Sequence, residues 1–283
     1  MPDILSFLSG GLIGGFLGAF LGGFAKFFWE QWLPSWLTWR KEQRVQREKV
    51  LSQIRGPAMR AISDLQSRIF VILRSDPKDP EDYNYLYLKG KGQEDYYINS
   101  TAFLVAQFFA WEEVLRQRMA ALDYSELVTR LDRVTTSFAH GGRGFQIFRL
   151  EQREIGERML ARSPDSGKEC IGYSEYLRLI EKDEVPVCFK RLDERVQHLL
   201  DHPSEEVIRM LLIQHSLIDL VNFIDPDGRW VPKGRRSKVD SVWKIDQLAT
   251  DKLITRKQYE SMMSIVDRLG LAQKKLSSLN LKM

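Results

Sequence analysis

Proton transfer near neutral pH falls first to histidine, and this chain has four: His140, His198, His202 and His215. His198 and His202 stand four apart, a spacing that stacks two imidazoles on one helix face, where they could chelate a metal. Asp201 and Pro203 beside them mark a helix end instead, so the pair reads as a cap and no metal is expected. His215 lies in a strongly apolar stretch and reads as a core histidine with its polar edge satisfied. Cys170 and Cys188 stand apart, without a paired CxxC for zinc. Two cysteines suit a reducing compartment and exclude a disulfide scaffold. Six residues separate Arg133 from His140, and Gly141-Gly142-Arg143-Gly144 follows. Read locally, His140 closes a helix near its negative pole, with Gly141 and Gly142 as the C-cap. The same glycine-rich turn could hold a phosphate on its backbone N–H groups, with Arg143 assisting. There is no P-loop, GxGxxG, GxSxG or HExxH, and no cofactor is expected.

Arg133, six residues and His140 at a helix end resemble the motif of the HEPN ribonucleases, an all-helical family in which a dimer combines two such pairs. Val134 stands where that family usually has a polar residue. The resemblance implies that His140 acts as acid or base on the 2′-hydroxyl or the leaving oxygen, while Arg133 stabilises phosphate charge. On this alternative the chain is a membrane-tethered ribonuclease effector.

The membrane enters through the first forty residues. Among 283 residues, 42 Lys+Arg face 38 Asp+Glu, a balance that excludes a disordered tail and a polytopic transporter. The net charge of +4 does not argue for nucleic acid, which is not an expected partner. Residues 4–25 carry no charge, and the apolar run continues to Phe28. A helix over residues 4–28 would extend about 37 Å, enough to cross a hydrocarbon layer of about 30 Å. Trp29, Trp32, Trp36 and Trp39 follow, as in an aromatic interface belt, and Pro34 is expected to kink or restart the helix. No basic start and no small-residue cleavage site mark a signal peptide. Arg40, Lys41, Arg44, Arg47 and Lys49 come next. By the positive-inside rule they place the following residues in the cytoplasm and the N-terminus outside a cell (inner) membrane.

Seven of the 19 glycines fall within residues 10–23. Gly10, Gly14, Gly18 and Gly22 form one four-residue ladder; Gly11, Gly15, Ala19 and Gly23 form another about 100° round the helix. In lipid, packing and not hydrophobicity decides helix association, and small residues let backbones approach. Glycine inside a helix forfeits roughly 1 kcal/mol relative to Ala, which asks for an offsetting contact. One ladder suffices for a dimer, whereas a closed ring needs two contact faces per helix. A ring could enclose a pore lined by glycine, Ser6, Ser9 and apolar groups, gated by dewetting.

Residues 40–75 read as one basic helix beside lipid headgroups, with nine basic residues against three acidic ones. Gly56-Pro57 marks an expected kink, and Met59, Ile62, Leu65, Ile69 and Ile72 form its apolar stripe. A hairpin or loop is expected over 75–98. Helices are expected over 102–122, 123–138 (opened by an Asp123/Glu126 capping box), 145–160, 173–181, 185–200 and 204–224. Asp225-Pro226-Asp227-Gly228 is a turn. A basic, flexible connector (233–238) leads to helices over 240–250 and 255–269, the latter capped by Thr255 and Gln258. The stretch from Ile245 through Lys252-Leu253-Ile254-Thr255 to Tyr259-Glu260 resembles the SHOCT short C-terminal domain, with Lys252 where that family often has Gly. The resemblance implies a role in oligomerisation. Phe108-Phe109-Ala110-Trp111-Glu112 and Phe148-Arg149-Leu150-Glu151-Gln152-Arg153 look similar to uncharacterised bacterial helical proteins with one N-terminal span, a resemblance that implies no activity.

The fold expected is therefore all-α: one N-terminal transmembrane helix followed by a cytoplasmic helical bundle. Its parts are a span with aromatic belt (1–39), a basic juxtamembrane helix (40–75), a helical domain (76–228) and a basic linker with a small helical module (229–283). The leading function is a non-enzymatic membrane homo-oligomer, a bundle or ion-channel-like pore, whose partners are the bilayer and further copies of itself. A tethered scaffold for another protein is a third reading, and no regulatory ligand is named by the sequence.

Overall fold

The computed structural model describes residues 33–74, 94–120, 125–140, 144–163, 167–181 and 185–271. In chain order these form α1 (Leu33–Arg74), α2 (Glu94–Ala120), α3 (Ser125–Ala139), α4 (Arg149–Arg158), β1 (Leu160–Ser163), β2 (Gly167–Cys170), α5 (Tyr173–Ile180), α6 (Val187–Asp201), α7 (Val207–Ile224), α8 (Ser241–Thr250) and α9 (Arg256–Arg268). The described fold is all-α apart from one small hairpin. The chain divides into two units, residues 1–52 and 53–283, with the boundary inside α1; α1 itself runs unbroken through Gly56-Pro57.

In the second unit α2 is the central helix. Ala102, Phe103, Val105, Ala106, Phe108, Phe109 and Ala110 are all buried, because apolar residues around most of this stretch leave only a narrow face to give to water. Helices α3, α4, α5 and α6 pack around it. The closest approach is at Gly156 of α4: an added Cβ would sit 2.6 Å from the Phe109 carbonyl oxygen. The apolar stripe of α1 is buried as its spacing predicts, and with it Arg68. Arg68 donates to the hydroxyls of Thr101 (3.2 Å) and Ser100 (3.1 Å) on α2, so this member of the basic run faces protein. Charge also ties α2 to α3 and α4: Glu112 is buried against Arg116, which reaches Asp132 on α3, and Arg149 on α4 meets the same carboxylate.

Two local expectations are corrected, and a hairpin appears where none was expected. The region of loop or hairpin ends earlier than residue 98, since α2 begins at Glu94; residues 75–93 and the Asp123 cap lie outside the described residues. The helix expected over 145–160 covers only Arg149–Arg158. Ile147 N–H bonds to the Phe138 carbonyl, and the Gln152 amide reaches the Thr135 and Ile147 carbonyls, so this link is tied back to α3 instead of along α4. Beyond it, β1 and β2 pair antiparallel, Leu160 opposite Cys170 and Ser163 opposite Gly167. Strands reading Leu-Ala-Arg-Ser and Gly-Lys-Glu-Cys carry no alternation that would announce them.

Helix α7, among the described residues, is long and apolar enough to cross a membrane, yet 67% of it is buried inside its unit. It carries Arg209, Gln214 and His215 into the interior, as a core helix does. Its Ile208 and Leu212 pack on the small core of Ile245 from α8, Val266 from α9 and Leu271 just after it. Asp240 caps α8, and Thr255 with Gln258 forms the expected capping box on α9. The basic connector is anchored: Arg236 is buried against Asp225 at 2.6 Å, and Lys238 meets Asp219 at 2.7 Å.

Both C-terminal helices close with the same 6→1 bond, Leu253 N–H to Leu248 O and Leu271 N–H to Val266 O, each 2.9 Å. That closure needs a left-handed residue. Gly270 supplies it for α9 at φ +64°, but Lys252 supplies it for α8 at φ +57°. Replacing Lys252→Gly is expected to raise stability by about 1 kcal/mol by relieving this backbone. Gly156→Ala is expected to lower it by about 1–3 kcal/mol, because the Phe109 backbone cannot give way. Denaturant midpoints of the full chain check both, with Gly234→Ala, whose Cβ meets nothing within 4 Å, as the control.

Candidate functional site

Two places gather polar chemistry in the second unit: the corner after α3 and a groove beside α1. At the corner, Arg133 and His140 are both exposed. Arg133 lies opposite the buried Leu127, Leu131, Val134 and Phe138 of α3. The contact that holds His140 is to its backbone: its carbonyl, at the negative end of α3, accepts from Arg209 Nε at 3.1 Å. Arg209 in turn pairs with Glu206 at 3.0 Å, and both side chains are almost fully buried. Glu206 also accepts the Phe145 N–H at 3.1 Å. Gly144 is obligatory here, since its φ is +87° and a Cβ would fall 1.8 Å from a Glu206 oxygen. Gly141, Gly142 and Arg143 lie outside the described residues. The Glu206–Arg209 pair thus shapes the turn, two residues that spacing arguments passed over because their partners lie more than sixty positions away.

The other histidines sit where helix geometry predicts. His202 is the C-cap of α6 and its ring stacks on His198 with centres 4.8 Å apart; Glu205 and Glu206 lie 3.7 and 3.9 Å from His198 Nε2. No metal-holding cluster occurs among the described residues. His215 is buried, its Nε2 2.9 Å from the Val239 carbonyl, and burial holds its pKa below the usual value. Burial pushes the Cys170 thiol up to about 12 and that of Cys188 to about 11, which leaves neither ionised as a nucleophile.

The groove, about 870 Å³, runs between α1 (residues 56–64) and α2 (residues 103–111), closed by the β2–α5 link and by Trp230. Trp230 lies against α1 because Gly56 has no side chain; a Cβ there would come within 3.1 Å of the indole. Its backbone is fixed by Asp225, which accepts the N–H groups of Arg229, Trp230 and Val231 and the Arg236 guanidinium. Tyr173 at the far end meets Phe103 edge-on at 5.2 Å. Asp64 faces the groove with Arg60, 3.8 Å away; burial raises its carboxyl against the pull of Arg60. Nothing in the sequence marks these residues: tryptophan, glutamine and aspartate from four segments converge only in space.

The residues assigned to the bilayer belong to the first unit. Gly10, Gly11, Gly14, Gly15, Gly18, Ala19, Gly22, Gly23, Trp29 and Trp32 lie outside the described residues. Trp39 is exposed, as are Leu37, Val45, Arg40, Lys41 and Arg44, and the Arg40 guanidinium sits 3.9 Å from the Trp36 ring centre. Arg47 and Lys49 are helical. Compared with protein-family models, with curated proteins and with solved structures, the chain matches none.

One titration is readable from this geometry. Burial raises the Asp193 carboxyl to about 6, against the Tyr176 hydroxyl that donates to it at 3.4 Å. A carboxyl raised on folding keeps its proton longer in the native chain. Its contribution therefore favours folding below about pH 4 and is lost as pH climbs to about 6. Asp193→Asn is expected to remove that slope and to stabilise the protein at pH 7 by on the order of 1 kcal/mol, solvent screening the rest. Unfolding midpoints between pH 4 and pH 7 check it.

Proposed function

We propose that this chain is a single-span membrane protein that self-associates through the glycine ladders of residues 10–23 and carries its all-helical second unit on the cytoplasmic side. The observation that carries the reading is the double ladder inside 22 uncharged residues, 4–25. Seven helix-interior glycines are costly unless close helix contacts offset them. The exposed Trp39 and the Arg40–Trp36 pair support an interfacial role for the start of α1, where an amphipathic ring and a cation both find partners at headgroup level. The five basic residues between 40 and 49 support the orientation. Two adjacent ladders suit a closed ring better than a pair, since each helix then has a face for both neighbours. In a ring the small and apolar groups of the span would line the opening.

Replacing Gly14 and Gly18 with Leu removes one ladder, and replacing Gly11 and Gly15 with Leu removes the other. In lipid nanodiscs each double variant is expected to shift the full-length protein from oligomer to smaller species, read by mass measurement and cross-linking, with the helical content kept. Unchanged assembly in both variants, or extraction of the wild-type chain from membranes by alkaline carbonate, would overturn the proposal.

A further inference from the structure

The geometry points to the groove between α1 and α2 as a binding site for a free nucleobase-type ligand, a planar heteroaromatic molecule with an adjacent donor and acceptor on one edge, stacked on Trp230 and read by Gln107. The volume, about 870 Å³, is that of a small-molecule pocket. Its lining combines apolar and polar surface in the way such pockets do. Phe103, Trp111, Tyr173 and Trp230 bring four aromatic side chains to it, and a base of any identity can stack on an aromatic face.

Trp230 is suited to be the platform. It is 54% exposed, an unusual state for the largest apolar side chain in a folded unit. It is nevertheless held: its backbone N–H donates to Asp225 at 3.0 Å, Asp225 is locked by Arg236, and the ring rests on Gly56. A ring held in place while exposed loses little freedom when a ligand covers it.

Gln107 supplies the reading. Gln107 lines the groove and is half-buried, and a carboxamide, which carries a donor and an acceptor side by side, matches the amino and ring-nitrogen edge of adenine in a bidentate pair. Asp64, on the α1 side of the groove, offers a further acceptor. Arg60 balances that carboxylate, so the groove has no excess positive charge to track a phosphodiester backbone. This favours a free base or nucleoside over a nucleic-acid strand. With its thiol protonated, Cys170 adds no nucleophile to the groove.

Full-length protein titrated with adenosine, cytidine, guanosine and uridine, followed by calorimetry and tryptophan emission, tests this. Saturable binding is expected for adenosine, weakened about tenfold or more in Gln107→Leu and in Trp230→Ala. Thermal unfolding of Gln107→Leu should match wild type, so that loss of binding is not loss of fold. No saturable binding of any nucleoside at millimolar concentration would overturn the inference. So would adenosine binding unaffected by Gln107→Leu, or oligoadenylate binding more tightly than adenosine. None of these readouts depends on the glycine ladders, so failure here and failure of assembly are separately visible.

Discussion

The second unit is organised by the burial of one helix. Helix α2 is apolar over most of its circumference between residues 102 and 115, so most of it must be covered, and covering it requires several helices to approach one axis. Side chains limit that approach, which is why Gly156 sits where α4 crosses Phe109. The aromatic cluster of Phe108, Phe109, Phe138 and Phe145 fills the space that opens away from this close point. A smaller residue there would leave a cavity, and a side chain at Gly156 would push the helices apart; both cost stability because interiors are packed near crystal density.

Enclosure also forces the connecting turns into the interior, and buried backbone must find partners. Two buried ion pairs meet that requirement. Glu206 and Arg209 hold the turn after α3, one at the Phe145 N–H and the other at the His140 carbonyl. Asp225 and Arg236 hold the turn after α7 through three successive N–H groups. Burial by itself would raise the Asp225 carboxyl, but those N–H groups and the guanidinium outweigh it and hold it below its ordinary value. Such pairs add little net stability over apolar packing but break badly when one partner is removed. Their effect is to specify shape, and the presentation of Trp230 on the groove is the consequence most relevant to binding.

The functional reading combines two surfaces of different character. The ladders of residues 10–23 and the basic, tryptophan-rich start of α1 belong to the first unit, and the proposed roles there are lipid contact and self-association. The groove belongs to the second and concerns a small polar-edged ligand. Neither rests on the exposed Arg133 and His140, which the fold leaves on the surface of α3 and its end.

Much of the helical framework was legible in the sequence, and the reason is locality. A 3.6-residue stripe such as Met59, Ile62, Leu65, Ile69 and Ile72, a cap such as Thr255 with Gln258, or a stop such as 225–228 is decided by neighbours within one or two turns. The β1–β2 hairpin, the irregular link at 145–148 and the burial of Arg68, Glu112 and Glu206 were not legible. Each depends on a partner that is distant along the chain and near only after folding, such as Phe138 for Ile147 or Thr101 for Arg68. The groove is of the same kind: four segments contribute, none carries a motif, and Trp230 becomes a platform only because Gly56 is bare and Asp225 is locked. By itself the sequence determined most of the described helical segments, several of their caps and stops, and where charge and glycine concentrate along the first fifty residues. Tertiary structure alone decided which polar groups are buried and which aromatic rings stay open, since burial is a property of the packed ensemble of helices and not of any one of them.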